Sequence, residues 1–225
     1  MRPIRALVLV AAGLVAFPVF AALQVRETLK SADGKLPIER KVTVSGTKFR
    51  VDEGAWSLIF DSATGRTVQL HHEEKTWSES TLPRGGVAPG DPASRRYAAA
   101  FHASVALLGD DSTLEVRPGD ETRTIAGVPA KRVDIYRLGV LVRRSWHASS
   151  VDDGELVALQ NQLFVGDLAP LFVDDMAITS RTVTLGLAVR VEDVTSGDSM
   201  EVVEIRKDKP ADALFATPVG YRKVD

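Results

Sequence analysis

Apolar and polar residues alternate with a period of two over much of the chain, and glycine-containing pairs interrupt the alternation at short intervals. The stretches Leu36 to Val44, Lys48 to Glu53, Trp56 to Asp61 and Arg66 to His72 are divided by Ser45-Gly46, Glu53-Gly54 and Thr64-Gly65. Period two with such punctuation predicts an antiparallel meander. Trp56, Leu58 and Phe60 fall on one face of their strand, and Val68 and Leu70 on one face of the next. The pattern resumes at Thr113 to Arg117, Thr122 to Ile125, Ala130 to Arg137 and Val140 to Ser149, with turns at Gly127-Val128-Pro129 and Leu138-Gly139. Two more alternating stretches, around Leu187 to Val191 and Met200 to Lys207, complete the predicted sheet.

Two segments break the period. Residues Leu82 to Pro92 form a loop rich in Gly and Pro, followed by an Ala-rich run. In that run Tyr97, Phe101, Val105 and Leu108 share a helical stripe between a capping Asp91-Pro92 and a terminating Gly109. Glu155 to Met176 reads as two short helices, with Asp152 as a cap and Gly166 and Pro170 as interruptions. The predicted class is therefore α+β: a strongly curved antiparallel sheet, a half-open and incomplete barrel, covered by a few helices. Its concave face would carry Trp56, Leu58, Phe60, Val68, Leu70, Val133, Ile135, Val142, Trp146, Leu187, Val189 and Val191.

The amino terminus changes where this sheet would work. Arg2 and Arg5 precede an unbroken apolar run from Ala6 to Phe17, and Val19-Phe20-Ala21 has the form of a cleavage site, so residues 1–21 read as a signal peptide. The apolar run is shorter than the roughly 20 residues of a spanning helix. The expectation is a single domain over residues 22–225, periplasmic, with no stable transmembrane anchor after cleavage. Loss of Arg2 and Arg5 leaves 26 basic against 30 acidic residues. A net negative chain excludes nucleic acid as the natural partner. The absence of cysteine excludes disulfides, thiolate metal sites, a cysteine nucleophile and a lipid-bearing cysteine.

Candidate chemistry is sparse. His71-His72-Glu73-Glu74 is the one cluster with metal-ligand residue types, and strand alternation splits it between two faces, which leaves a polar strand end as the simpler reading. His72 would then share the face of Val68 and Leu70 and need a hydrogen-bond partner. His102 and His147 read as surface residues, and Arg84 to Gly86 with Arg95-Arg96 as a solvated loop. No Gly-x-Ser-x-Gly, Gly-x-Gly-x-x-Gly or Walker pattern occurs. Neither a catalytic residue nor a metal or other cofactor is expected. Arg144 is expected on the face of Val142 and Trp146, where an inward guanidinium would suit a phosphate or carboxylate.

Several short motifs resemble a bacterial exported family of uncharacterised function. These are Phe49-Arg50-Val51-Asp52, Leu58-Ile59-Phe60-Asp61, Val68-Gln69-Leu70, Glu74-Lys75-Thr76-Trp77, Thr124 to Arg132, Ser145-Trp146-His147-Ala148 and Phe215 to Tyr221, spread over residues 36–225. That family in turn resembles the periplasmic lipoprotein carriers (LolA/LppX-like half-barrel proteins). On pattern alone each large apolar side chain is a core residue. The resemblance implies instead a hydrophobic slot, with cavity candidates Trp56, Leu58, Phe60, Leu70, Val133, Ile135, Val142, Arg144, Trp146 and Val189. It implies a non-catalytic binding or carrier protein for an apolar or amphiphilic, lipid-like ligand, whose partners would be a lipid or a lipid-modified protein. The alternative is an envelope interaction protein with a filled core and an envelope protein as partner.

Overall fold

The computed structural model describes residues 22–35, 37–81, 113–154, 156, 178 and 181–224. The signal peptide, the Gly/Pro loop, the helix expected at 91–108 and nearly all of the 155–176 segment lie outside the described residues. Within them the chain is almost entirely β, and this corrects the α+β expectation. The strands are β1 (Leu23–Lys30), β2 (Ile38–Ser45), β3 (Lys48–Glu53), β4 (Trp56–Asp61), β5 (Arg66–His71) and β6 (Thr76–Thr81). After these come β7 (Leu114–Ile125), β8 (Val128–Arg137), β9 (Val140–Ala148), β10 (Leu187–Asp193), β11 (Ser199–Arg206) and β12 (Arg222–Lys223). Short 3-10 turns occur at Val183–Leu185 and Asp212–Phe215.

All twelve strands form one open sheet in the order β12-β6-β5-β4-β3-β2-β1-β11-β10-β9-β8-β7. Neighbours are antiparallel except for β12, which lies parallel to β6. Strand β1 closes against β11, so residues near the start and end of the described chain meet at the middle of the sheet. The turns expected at Thr64-Gly65 and Leu138-Gly139 hold because their glycines reach left-handed backbone, with φ of 73° and 80°, whereas the turn expected at Gly127-Val128-Pro129 is Ala126-Gly127, since Val128 and Pro129 pair with Ile125 and Thr124 as the start of β8.

The apolar side chains form three clusters rather than one concave face. The largest runs across the sheet from Phe49 and Phe60 through Val44, Val42, Val25 and Val202 to Val189, Trp146, Ala130 and Ile125. A second holds Ile59, Val68, Leu70 and Phe215, with Trp77, Leu214 and Tyr221 against it. A third holds Leu114, Val133, Ile135 and Ile178, with Val116, Val142 and Leu185. Registration explains the division. Across β4 and β5, Ile59 pairs with Val68 and Ser57 with Leu70, whereas Phe60 pairs with Thr67 and Leu58 with Gln69. Directly opposed residues share a face, so Val68 and Leu70 lie on the opposite side of the sheet from Trp56, Leu58 and Phe60.

Candidate functional site

The ten sequence-predicted cavity residues are not brought together. Phe60, Trp146 and Val189 lie in the first cluster, Leu70 in the second, and Val133 and Ile135 in the third. All six are buried, while Trp56 is exposed and Leu58 half-buried. Val133 pairs with Ser145 and Trp146 with Arg132, which puts Val133 and Ile135 on the side opposite Trp146. Val142 is the extra residue of a bulge, since Arg143 opposes Ile135 while Leu141 opposes Tyr136. The bulge re-aims Val142 into the third cluster, away from the face it was expected to share with Trp146. Arg144 stays on the Trp146 side, directly across from Asp134 and Glu192. Both carboxylates already hold arginines, Asp134 with Arg132 and Glu192 with Arg190. The Arg132 guanidinium holds the Asp134 carboxyl below the usual carboxylate range.

A cavity of about 550 Å³ opens elsewhere, where β2, β1, β11 and β10 end side by side. In-register pairing lines up Ile38, Leu29, Met200 and Val191 across these four strands, and they make an apolar floor. Lys30, Lys35, Arg40 and Arg143 stand around it with Asp193 and Asp198. One row deeper, Arg40 Nε donates to Glu27 Oε2 at 2.6 Å, and Glu27 is buried. This pair sits between the cavity floor and the packed row of Val25 and Val42, so the cavity is bounded by charge on the inner side. Asp198 is spent on the β1–β2 turn, where its Oδ1 accepts from Ala32 N at 2.9 Å and from the Ser31 hydroxyl at 3.2 Å. The chemistry of such a lining is that of a binding site: a few charged groups around aliphatic walls.

The second constellation lies on the Leu70 side of the sheet, and sequence patterning missed it. Ser57 Oγ donates to Asp52 Oδ1 at 2.5 Å, and His72 Nε2 lies 2.6 Å from Ser57 Oγ. Because the serine proton goes to Asp52, His72 Nε2–H donates to Ser57, and in the neutral ring Nδ1 accepts from the Tyr221 hydroxyl, 2.7 Å away. Arg50 donates to Asp52 through Nε at 2.7 Å and to the Leu214 carbonyl through Nη1 at 2.5 Å. A serine nucleophile must send its proton to the imidazole and meet substrate. Ser57 is fully buried and sends its proton to the carboxylate. The group therefore ties the carboxy-terminal segment to β3, β4 and the turn after β5. The partner anticipated for His72 is Tyr221, 149 residues away. The signal that could have found it was in the motifs themselves, since Arg50, Asp52 and Tyr221 all belong to stretches with the family resemblance.

His147, expected at the surface, is buried. Its Nδ1–H donates to the Gly186 carbonyl at 2.9 Å and its Nε2 accepts from the Ser145 hydroxyl at 2.9 Å. Burial pushes the imidazole below its ordinary range, and the Gly186 carbonyl opposes that shift only in part. Nearby in sequence, Asp153 is buried and its carboxyl is pushed up to about 6 by desolvation, with Asp152 adding to it. Among the described residues no three His, Asp or Glu side chains converge as a metal site, and no helix is long and apolar enough to cross a membrane.

No protein-family model matches the chain, and no curated protein matches it. Among solved structures it is similar to MucB in the complex structure of Pseudomonas aeruginosa MucA/MucB, with TM-score 0.44 and 12% identity over 92% of this chain and 59% of that one. MucB in complex with MucA(peri) gives TM-score 0.43 and 10% identity over 91% and 57%. PNGF-II gives TM-score 0.38 and 12% identity over 91% of this chain but 31% of that one. A DUF1329 family protein from Desulfovibrio piger gives TM-score 0.24 and 9% identity over 87% and 90%. The chain thus spans under a third of the PNGF-II chain and under three fifths of the MucB chains. At these TM-scores the likeness settles neither family nor activity.

Proposed function

We propose that this is a non-catalytic, exported binding or carrier protein that takes an apolar or amphiphilic molecule in the cavity where β2, β1, β11 and β10 end. The observation that carries the reading is the lining: Leu29, Ile38, Val191 and Met200 offer an aliphatic wall for a chain, and exposed Lys30 and Lys35 stand at the mouth, where a polar head would lie. The volume of about 550 Å³ is that of a small-molecule pocket rather than a packing defect.

A titration with lysophospholipid tests this. Saturable heat release is expected for the wild type, together with a higher thermal midpoint, because a ligand bound only to the folded state stabilises it. Ile38→Arg puts a charge on the cavity wall at an exposed position and should abolish the signal while leaving the fold intact. Absence of saturable binding by the wild type would contradict the proposal. It would leave the second reading, an envelope interaction protein, which the complete burial of Leu70, Ile135, Trp146 and Val189 favours. A partner adding a strand at β7 is disfavoured under that reading. This last strand in the sheet order carries Arg117, Pro118, Glu121 and Arg123 and a bulge between Pro118 and Thr122, all of which blunt an edge.

A further inference from the structure

The exposed apolar side chains are not scattered evenly. Among the described residues seven large hydrophobic side chains are exposed, and five of them, Ile38, Trp56, Leu138, Val140 and Val194, are on one rim of the sheet. Antiparallel pairing fixes this. Leu29 opposite Ile38, Glu53 opposite Trp56, Asp193 opposite Arg143 and Arg137 opposite Val140 put the turns after β1, β3, β8 and β10 at the same ends of their strands. The cavity opens on this rim, since Ile38, Asp193 and Asp198 line it.

Leu138 is the most telling of the five. It is 78% exposed, and its φ of 51° places a leucine in left-handed backbone where Asn, Asp or Gly would be cheaper. Val140, two residues on, is 66% exposed. The hairpin tip holds an apolar residue that neither packing nor turn geometry requires, and such a choice needs an external partner.

We propose that this rim is a peripheral membrane-docking edge, with Leu138, Val140, Trp56, Ile38 and Val194 entering the headgroup region of a bilayer. The five side chains come from strands β4 to β8 of the sheet order, which span about 33 Å at one strand spacing of ~4.8 Å. Leu138 and Val140 share one hairpin tip, while Val194, Ile38 and Trp56 stand at the ends of other strands with Asp193, Asp33, Lys35 and Glu53 among them. A protein partner would draw its affinity from a contiguous desolvated centre, which separated side chains do not provide, whereas a bilayer receives each apolar tip independently. Trp56 at the rim suits an interfacial position, with an apolar ring and a polar N–H. Lys30, Lys35, Lys75 and Arg137 are balanced on the same rim by Asp33, Glu53, Glu73 and Glu74. Docking is therefore apolar and does not need anionic lipid.

The test is flotation of the mature protein with phosphatidylcholine vesicles, beside quenching of its tryptophan fluorescence by brominated phosphatidylcholine. The wild type should float, and quenching should fall to a small remainder in Trp56→Phe, because Trp146 is buried and Trp77 is half-buried against the second cluster. The double variant Leu138→Asn, Val140→Thr should lose vesicle binding by tenfold or more with a thermal midpoint no lower than wild type, since asparagine accepts left-handed backbone better than leucine. Lysophospholipid binding in the cavity should persist in that variant, which separates this inference from the proposed ligand. Failure of the wild type to float, or equal flotation of the double variant, would overturn it.

Discussion

His72 and Tyr221 lie 149 residues apart in sequence and 2.7 Å apart between Nδ1 and the phenol oxygen, with their rings edge to face. Through Ser57 and Asp52 this contact reaches Arg50, whose guanidinium also holds the Leu214 carbonyl. Phe215 and Tyr221 thereby cover Val68 and Leu70, a service the sequence had assigned to helices. Tyr221→Phe removes one half-buried hydrogen bond and leaves the ring, so it should cost about 1 kcal/mol in urea unfolding. His72→Ala strips a donor from buried Ser57 and should cost about 2 kcal/mol or more. A Tyr221→Phe variant as damaging as His72→Ala would show that the contact is not the terminal link of the chain.

Asp153 makes stability depend on pH in an uncommon direction. Its carboxyl titrates near 6 in the fold against an ordinary value of 3.8, so the unfolded chain gives up the proton more readily. The protein carries no penalty below pH 3.8, loses stability as pH rises from there to about 6, and regains none above. Asp153→Asn should therefore gain about 1–2 kcal/mol over wild type at pH 8, with solvent screening allowed for, and nothing near pH 3.5. Equal gains at both pH values would assign the effect to packing instead.

Gly186 is fixed by two independent constraints. Its φ is 87°, and a Cβ built there would lie 2.4 Å from the Ala148 carbonyl oxygen, on the strand against which β10 packs. Gly186→Ala must therefore part β9 from β10 and disturb the carbonyl that receives the His147 hydrogen bond. A loss of roughly 3 kcal/mol or more is expected in the unfolding free energy. A midpoint within a degree or two of wild type would contradict it.

Trp146 distinguishes core from site. It is 2% exposed, packs with Val189 and Ala130, and has the guanidinium carbons of Arg123 and Arg190 at 4.9 and 5.5 Å from its ring. Trp146→Ala should cost about 3–5 kcal/mol. Because the residue lies outside the cavity lining, lysophospholipid affinity of the folded variant should be unchanged. A change in ligand preference would return Trp146 to the binding site.

Strands β3 and β4 were legible to the residue, and so were the glycine turns at 65 and 139, because local period and turn chemistry are short-range signals, while Val128 and Pro129 read as turn and proved to begin β8. The faces were not. Alternation says which residues of one strand share a side but not how two strands register, so Val68 and Leu70 were assigned to the side of Phe60 when pairing puts them with Ile59. A bulge carried Val142 across in the same way. Strand β1 went unseen because its pairing with β11 depends on residues about 180 positions away, and its own pattern of Leu23, Val25, Glu27 and Leu29 is interrupted by a charge. That charge, Glu27, is satisfied by Arg40 on β2, a contact no single-strand reading contains. The cavity followed from none of the ten candidate residues. It arises where four strand ends place Leu29, Ile38, Val191 and Met200 side by side, which only the register discloses.

Under the proposed function an amphiphile enters this cavity and not the packed clusters. Methyl-resolved NMR of the mature protein with a lysophospholipid carrying a nitroxide on its acyl chain tests it directly. The methyl signals of Leu29, Ile38, Val191 and Met200 should broaden first and saturably, while those of Val68, Leu70 and Ile135 stay sharp. Uniform broadening across all seven, or broadening that begins at Leu70 or Ile135, would contradict the account.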